Sequence, residues 1–150
     1  MSEIRLVLPY PISANRYWRT FMPKGFKAPV TTVSPEAKSY KAQVAHMCKV
    51  AGIKQPISGR VEIDIKLFPK RPQDYAKRMQ KNPDSWDDDV QCLDLDNVNK
   101  VLFDAIKGIA IDDDKWIRRL TSERMEPDGE ARVILTIRPL KQETPQGILI

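Results

Sequence analysis

Every second residue from Val61 to Leu67 is aliphatic: Val61, Ile63, Ile65 and Leu67, with Glu62, Asp64 and Lys66 between them. Such alternation predicts an extended strand over residues 60–68, with one face on a core and the other in water. A strand of this kind cannot stand alone. Its apolar face needs further strands beside it and something apolar laid across it.

Two helices suit that task. Ser34 is a good N-cap and Pro35 fits the first helical position, where its missing N–H costs nothing. Ala37, Tyr40, Val44, Met47, Cys48 and Ala51 then recur at helical spacing, and Gly52 ends the run. His46, the single histidine, lies inside this helix with no partner in sequence and reads as packed or solvated. A second helix follows Leu93, capped by Asp96 or Asn97 and ending near Gly108.

Ile4, Leu6 and Leu8 mark an N-terminal strand that Pro9 and Pro11 stop. Trp116–Met125 and Arg132–Arg138 read as two more strands. The turn Glu126-Pro127-Asp128-Gly129 between them predicts an antiparallel hairpin. Residues 20–33, with their Pro, Gly and Lys, read as a mobile basic loop. A charged insertion spans about 69–92, and residues 75–81 within it have room for two helical turns. Its Asp84 and Asp87–Asp89 read as solvated charge. A short tail from 139 reads as frayed, despite its apolar Ile148-Leu149-Ile150 end. The expected architecture is α+β, in the order β-α-β-(insertion)-α-β-β: one domain over 1–150, with a single mixed sheet and two main helices on one side.

Two cysteines, Cys48 and Cys92, are too few for a disulfide framework, and neither sits in a metal-binding spacing. With no apolar run long enough for a membrane span, a cytoplasmic protein is expected. The formal charge of +5 is unevenly spread. Residues 84–114 hold ten Asp against two Lys, a net of −8, so the remainder carries +13. A basic body around an acidic pocket suits an enzyme that gathers a polyanion and masks its repulsion with a metal ion.

The acidic pocket has a definite pattern. In L-D-L-D-N-V-N-K (93–100), Asp94 and Asp96 alternate with Leu93 and Leu95. An extended backbone there would set both carboxylates on one face, about 7 Å apart at Cα. Lys100 and Asp104 follow at four-residue steps, which stacks Asp96, Lys100 and Asp104 on one helical face. Asp112, Asp113 and Asp114 arrive after the helix. Carboxylates with no His or Cys cluster point to a hard cation, Mg²⁺ or Mn²⁺. Asp94, Asp96 and one of Asp112–Asp114 would be its ligands, and Lys100 an electrostatic partner for a phosphoryl transition state. D-x-D alone is weak, because it recurs in glycosyltransferases and phosphatases. D-x-D-N-x-x-K with D-D after a short helix is far more restrictive. Upstream, Pro11-Ile12-Ser13-Ala14-Asn15-Arg16-Tyr17-Trp18-Arg19 interleaves arginines with aromatics, a composition suited to phosphate and base contacts. Taken alone, that loop reads more simply as one whose aromatics pack on the core.

These residues resemble the RusA-like Holliday junction resolvases. That family's pattern is D-L-D-N-x-x-K, a helix with D-A-L or D-A-I, then D-D; here it is Asp94-Leu95-Asp96-Asn97-Val98-Asn99-Lys100, Phe103-Asp104-Ala105 and Ile111-Asp112-Asp113. Leu8-Pro9-Tyr10-Pro11 through Arg19 is similar to its L-P-x-P-P-S-x-N-x-x-Y/W-R opening. The resemblance covers about residues 4–138. It implies a homodimer that binds four-way DNA junctions and cuts them by paired, metal-dependent hydrolysis. It maps the metal-holding aspartates to Asp94, Asp96 and Asp113, and the required lysine to Lys100. Asn97, Asp104 and Asp112 would support them, and Asn15, Arg16, Arg19, Lys70, Arg71, Lys77 and Arg78 are expected to meet DNA. Two departures stand out. Asp87–Leu93 replaces the run of arginines expected just before D-L-D-N, and Ile12 replaces the second proline of the opening motif. The rival readings are a non-catalytic branched-DNA-binding protein and a metal-dependent phosphatase with Asp94 as nucleophile.

Overall fold

The computed structural model describes residues 3–141. The elements are β1 (Ile4–Pro9), α1 (Ala14–Tyr17), β2 (Trp18–Phe21), β3 (Val30–Val33), α2 (Pro35–Val50), β4 (Val61–Phe68), α3 (Tyr75–Lys81), α4 (Leu95–Ile106), a 3₁₀ turn (Asp114–Trp116), β5 (Ile117–Arg124) and β6 (Arg132–Pro139). The class is α+β, as expected. β1, β6, β4 and β5 form a mixed sheet in that order.

β4 is central. Val61, Ile63, Ile65 and Leu67 are fully buried, and β4 pairs antiparallel with β6 and parallel with β5. On the same face, Leu6 and Leu8 of β1 and Val133, Leu135 and Ile137 of β6 complete one side of the core. The other side comes from α2, through Ala37, Tyr40, Val44 and Cys48, and from α4, through Val98, Val101, Leu102, Ala105 and Ile106. Ser34 caps α2 as read, its Oγ accepting from the Ala37 N–H at 3.1 Å. Met47 is half-buried, and Ala51 and His46 are exposed.

The chain departs from expectation in three places. β5 and β6 do not form a hairpin, because β4 lies between them. The Pro127–Gly129 turn is present, but the chain there crosses the end of β4, where the Met125 N–H donates to the Leu67 carbonyl at 2.8 Å. The cause lies upstream. A helix laid on the sheet between two strands returns the chain parallel to the first, so α4 sends β5 to the free edge of β4. Residues 18–33 are no loose loop. They make a second, two-stranded antiparallel sheet, β2–β3. Lastly, the 69–92 insertion is tied to the body. Trp86 is buried and donates its indole N–H to Glu126 at 3.1 Å, and Arg124 donates to the carbonyls of Asp87 and Val90. Its α3 occupies the segment whose length predicts two helical turns.

No helix among the described residues is long and apolar enough to cross a membrane. Leu140 donates to the Arg60 carbonyl at 2.8 Å. The remaining tail, Ile148–Ile150 included, lies outside the described residues.

Candidate active site

The acidic motif is a helix start, not a strand end. Asp94 is the N-cap of α4, with extended backbone, and Asp96 lies in the first turn. The predicted alternation survives in effect: Leu93 and Leu95 pack on the core while Asp94 and Asp96 are exposed. Neither Asp96 nor Asn97 caps the helix, and the Asp94 carboxylate accepts no capping bond. Both carboxylates sit where a helix's positive end favours negative charge. Among the described residues, Asp94, Asp96, Lys100 and Asp112 make no side-chain hydrogen bond or ion pair. Four charged groups are thus left free in a chain with many opposite charges to spare.

Two tyrosines of the N-terminal motif brace α4. Tyr10 Oη accepts from the Leu93 N–H at 2.8 Å, just before Asp94. Burial pushes the Tyr10 hydroxyl up to about 12. Fully buried Tyr17 donates its hydroxyl to Asp104 one turn from the other end of the helix. The Lys41 ammonium of α2 also reaches Asp104, at 3.5 Å. Asp104 is therefore committed to Tyr17 and Lys41, not to Lys100. The i,i+4 pair that the spacing offered does not form, and the Lys100 charge stays available. Sequence reasoning left the Tyr17 role open. The signal was there, an aromatic with a hydroxyl in a motif that must meet a distant one.

Tyr17 and Tyr40 also carry a pH prediction. Burial raises both hydroxyls above their ordinary value of 10.0, and the hydrogen bond to Asp104 adds to it for Tyr17. The folded chain thus keeps protons that the unfolded chain loses above pH 10. The tyrosine contribution should be flat below that point and then fall with rising pH, at about 1.4 kcal/mol per pH unit for each tyrosine. Tyr10, pushed up to about 12, adds a third such group. Urea melts between pH 10 and 11 would show the fall, and Tyr17→Phe should remove about a third of the tyrosine slope.

Beyond α4 the backbone turns sharply at Gly108, whose φ of +77° is left-handed. The Gly108 N–H donates to the Ile111 carbonyl at 2.7 Å, and Ile111 bridges to Ile57. This reversal brings the acidic triplet back against the last turn of α4. Asp113 Oδ1 lies 3.9 Å from Lys107 Nζ and accepts from the Lys115 N–H at 3.3 Å. A hydrogen bond shared with Asp114 holds Asp113 below the usual carboxylate range and, with burial, pushes Asp114 above it. Asp114, Lys100, Asp104, Lys107 and Trp18 line one cleft of about 310 Å³.

Asp96 and Lys107 are separated by about 16 Å of helix at ~1.5 Å per residue. Asp94 and Asp96 thus stand at one end of α4 and Asp113 at the other. Among the described residues, no three Asp, Glu, His or Cys side chains gather closely enough to cage a metal ion. The donor chemistry fits Mg²⁺ all the same. The free groups are hard carboxylate oxygens, and Mg²⁺ is commonly held by one or two carboxylates with water and substrate phosphate making up the rest.

Cationic groups flank the motif. A second cleft, of about 740 Å³, runs from Tyr10 and Leu93 to Lys70, Arg71 and Arg78. A family model described as Endodeoxyribonuclease RusA matches residues 9–138. The chain belongs to the RusA family. No curated protein matches it at a significant level. RusA membership makes it an endodeoxyribonuclease at family level. The predicted DNA-contact residues of this RusA-family chain are not equally available. Asn15 and Arg19 are exposed, as are Lys70 and Lys77. Arg16 is paired with Glu36, and Arg78 with Asp74 and Asp89 at 2.8 and 3.0 Å. Arg71 lies over the Tyr75 ring at 3.9 Å, which leaves one face of its guanidinium open.

Proposed function

We propose that the chain is a Mg²⁺-dependent endonuclease that resolves four-way DNA junctions by paired phosphodiester hydrolysis as a homodimer, with Mn²⁺ as an alternative ion. The observation that carries this reading is the set of carboxylates at the head of α4 that, like Lys100, make no ion pair among the described residues, beside a cation-lined cleft, in a RusA-family chain. Asp94, Asp96 and Asp113 would hold the ion. When bound, it supplies a Lewis acid for the phosphoryl oxygens and lowers the pKa of its water. Lys100 faces the negative charge that builds on phosphorus. Lys70, Arg71 and Lys77 take flanking phosphates, which fixes the strand's position without reading its sequence.

The homodimer reading has support beyond the symmetry of two incisions. One chain holds its two acidic groups at opposite ends of α4. A second copy related by a two-fold axis can bring its Asp113 to the first copy's Asp94 and Asp96. In a direct test, the protein is incubated with a labelled four-way junction, a matched duplex and a phosphomonoester, each with Mg²⁺ or EDTA. Symmetric nicks in the junction alone, lost in EDTA, are the expected result. Junction binding without cleavage under Mg²⁺ and Mn²⁺ would reject the enzyme reading, and turnover of the monoester would favour a phosphatase.

A further inference from the structure

The β2–β3 hairpin stands off the main sheet and grows from the site. Trp18 at its base packs on the core and lines the cleft shared by Lys100 and Asp114. The opposite base is pinned where the Ser34 N–H donates to the Tyr17 carbonyl at 2.8 Å and Ser34 Oγ to the Arg16 carbonyl at 2.6 Å. Outward, four residue pairs run from Trp18↔Val33 to Phe21↔Val30. The tip is a defined turn. The Phe26 N–H donates to the Pro23 carbonyl at 3.1 Å, and Gly25 takes a φ of +85°, a geometry that glycine allows.

The tip is apolar where it should be polar. Phe21, Met22 and Phe26 are 39%, 56% and 61% exposed, and nothing among the described residues covers them. The other large apolar side chains that are exposed, Val7, Val50, Met79 and Leu120, lie on four different elements. A clustered, uncovered apolar patch signals a binding surface. Its setting identifies the occupant. Residues 18–33 carry Arg19, Lys24 and Lys27 and no acid, and Arg19 sits over the Phe21 ring at 5.0 Å. Apolar side chains ringed by cations match stacked bases between phosphates. A second copy of this chain suits them poorly, because outside its acidic stretch, which faces DNA in the reading above, its body is itself basic.

We propose that this hairpin is a DNA wedge: Phe26 and Met22 enter the base stack at the branch point while Lys24 and Lys27 hold the adjacent phosphates. Apolar side chains inserted between base steps unstack and kink a duplex in this way. The tip stands about 15 Å from Trp18, about four base steps along a strand. The wedge therefore sets which phosphate reaches the acidic cleft. The inference rests on the branched-DNA reading given above.

Its test places 2-aminopurine at the branch point of a four-way junction and uses Asp96→Asn protein to keep the DNA intact. Binding should raise the fluorescence several-fold. Phe26→Ala should cut that rise at least threefold and, in otherwise wild-type protein, slow junction cleavage about tenfold at an unchanged melting temperature. Phe26→Trp should restore both. If wild-type protein cuts junctions and Phe26→Ala changes neither signal by more than twofold, the wedge is wrong and the nuclease reading stands. If Phe26→Ala instead converts a dimer to monomers by sedimentation, the tip is a contact between copies and the wedge is overturned. If wild-type protein neither binds nor cuts junctions, the nuclease reading fails and the wedge with it.

Discussion

Asp96→Asn is expected to lower Mg²⁺-dependent junction cleavage by at least about 10³-fold, since it removes a carboxylate proposed to hold the metal while keeping the shape of the side chain. The fold should survive. Asp96 is exposed and, among the described residues, bonds to no other side chain, so the loss is limited to its favourable place in the first turn of α4, about 0.3–1 kcal/mol. Junction affinity in EDTA should hold or improve, because one negative charge leaves a surface that meets phosphate. A large loss of affinity, or retained cleavage, would contradict the role assigned to Asp96. A mixing experiment then separates two arrangements of the site. Asp96→Asn and Asp113→Asn proteins should each be inactive alone. If Asp113 serves the partner's carboxylates, a mixed dimer contains one intact site and nicks one strand of the junction. If all three aspartates of one chain act together, mixing restores nothing.

Lys100→Ala is expected to slow single-turnover cleavage about 10²-fold, with junction binding and Mn²⁺ affinity nearly unchanged. The structure motivates the size of this effect. Asp104, the carboxylate one turn away, is occupied by Tyr17 and Lys41, and among the described residues the Lys100 ammonium makes no ion pair. Lys100→Arg should recover part of the rate, because the charge returns but its position shifts. A fall in Mn²⁺ affinity equal to the fall in rate would instead mean that Lys100 acts by shaping the metal site.

The link between two motifs about 80 residues apart in the chain also acquires a physical reason. Tyr10 holds the backbone at Leu93, and Tyr17 holds Asp104. The opening motif thereby positions both ends of the acidic one. In the sequence, Tyr17 could be read as a base-stacking residue or as a core residue. It is the latter, with its hydroxyl turned to Asp104, while the exposed aromatics lie further on, at Phe21 and Phe26.

Much of this molecule was legible from local pattern. The alternation at 61–67 specifies a half-buried strand, Ser34-Pro35 a helix start, and Gly108 the end of α4, because each depends on residues within one or two turns of each other. The stacking of Asp96, Lys100 and Asp104 along one helix was legible for the same reason. Strand neighbours were not. An edge strand and a hairpin strand have the same period of two, so nothing within 117–139 says that β4 will lie between β5 and β6. That outcome belongs to α4, which occupies one face of the sheet and carries the chain across to the far edge of β4. The same holds for the hairpin at 18–33, the docked insertion and the split of the acids between the two ends of one helix. Residue type and spacing settle which chemistry a chain can carry. Where each group stands relative to another is set by contacts between segments that no local period encodes.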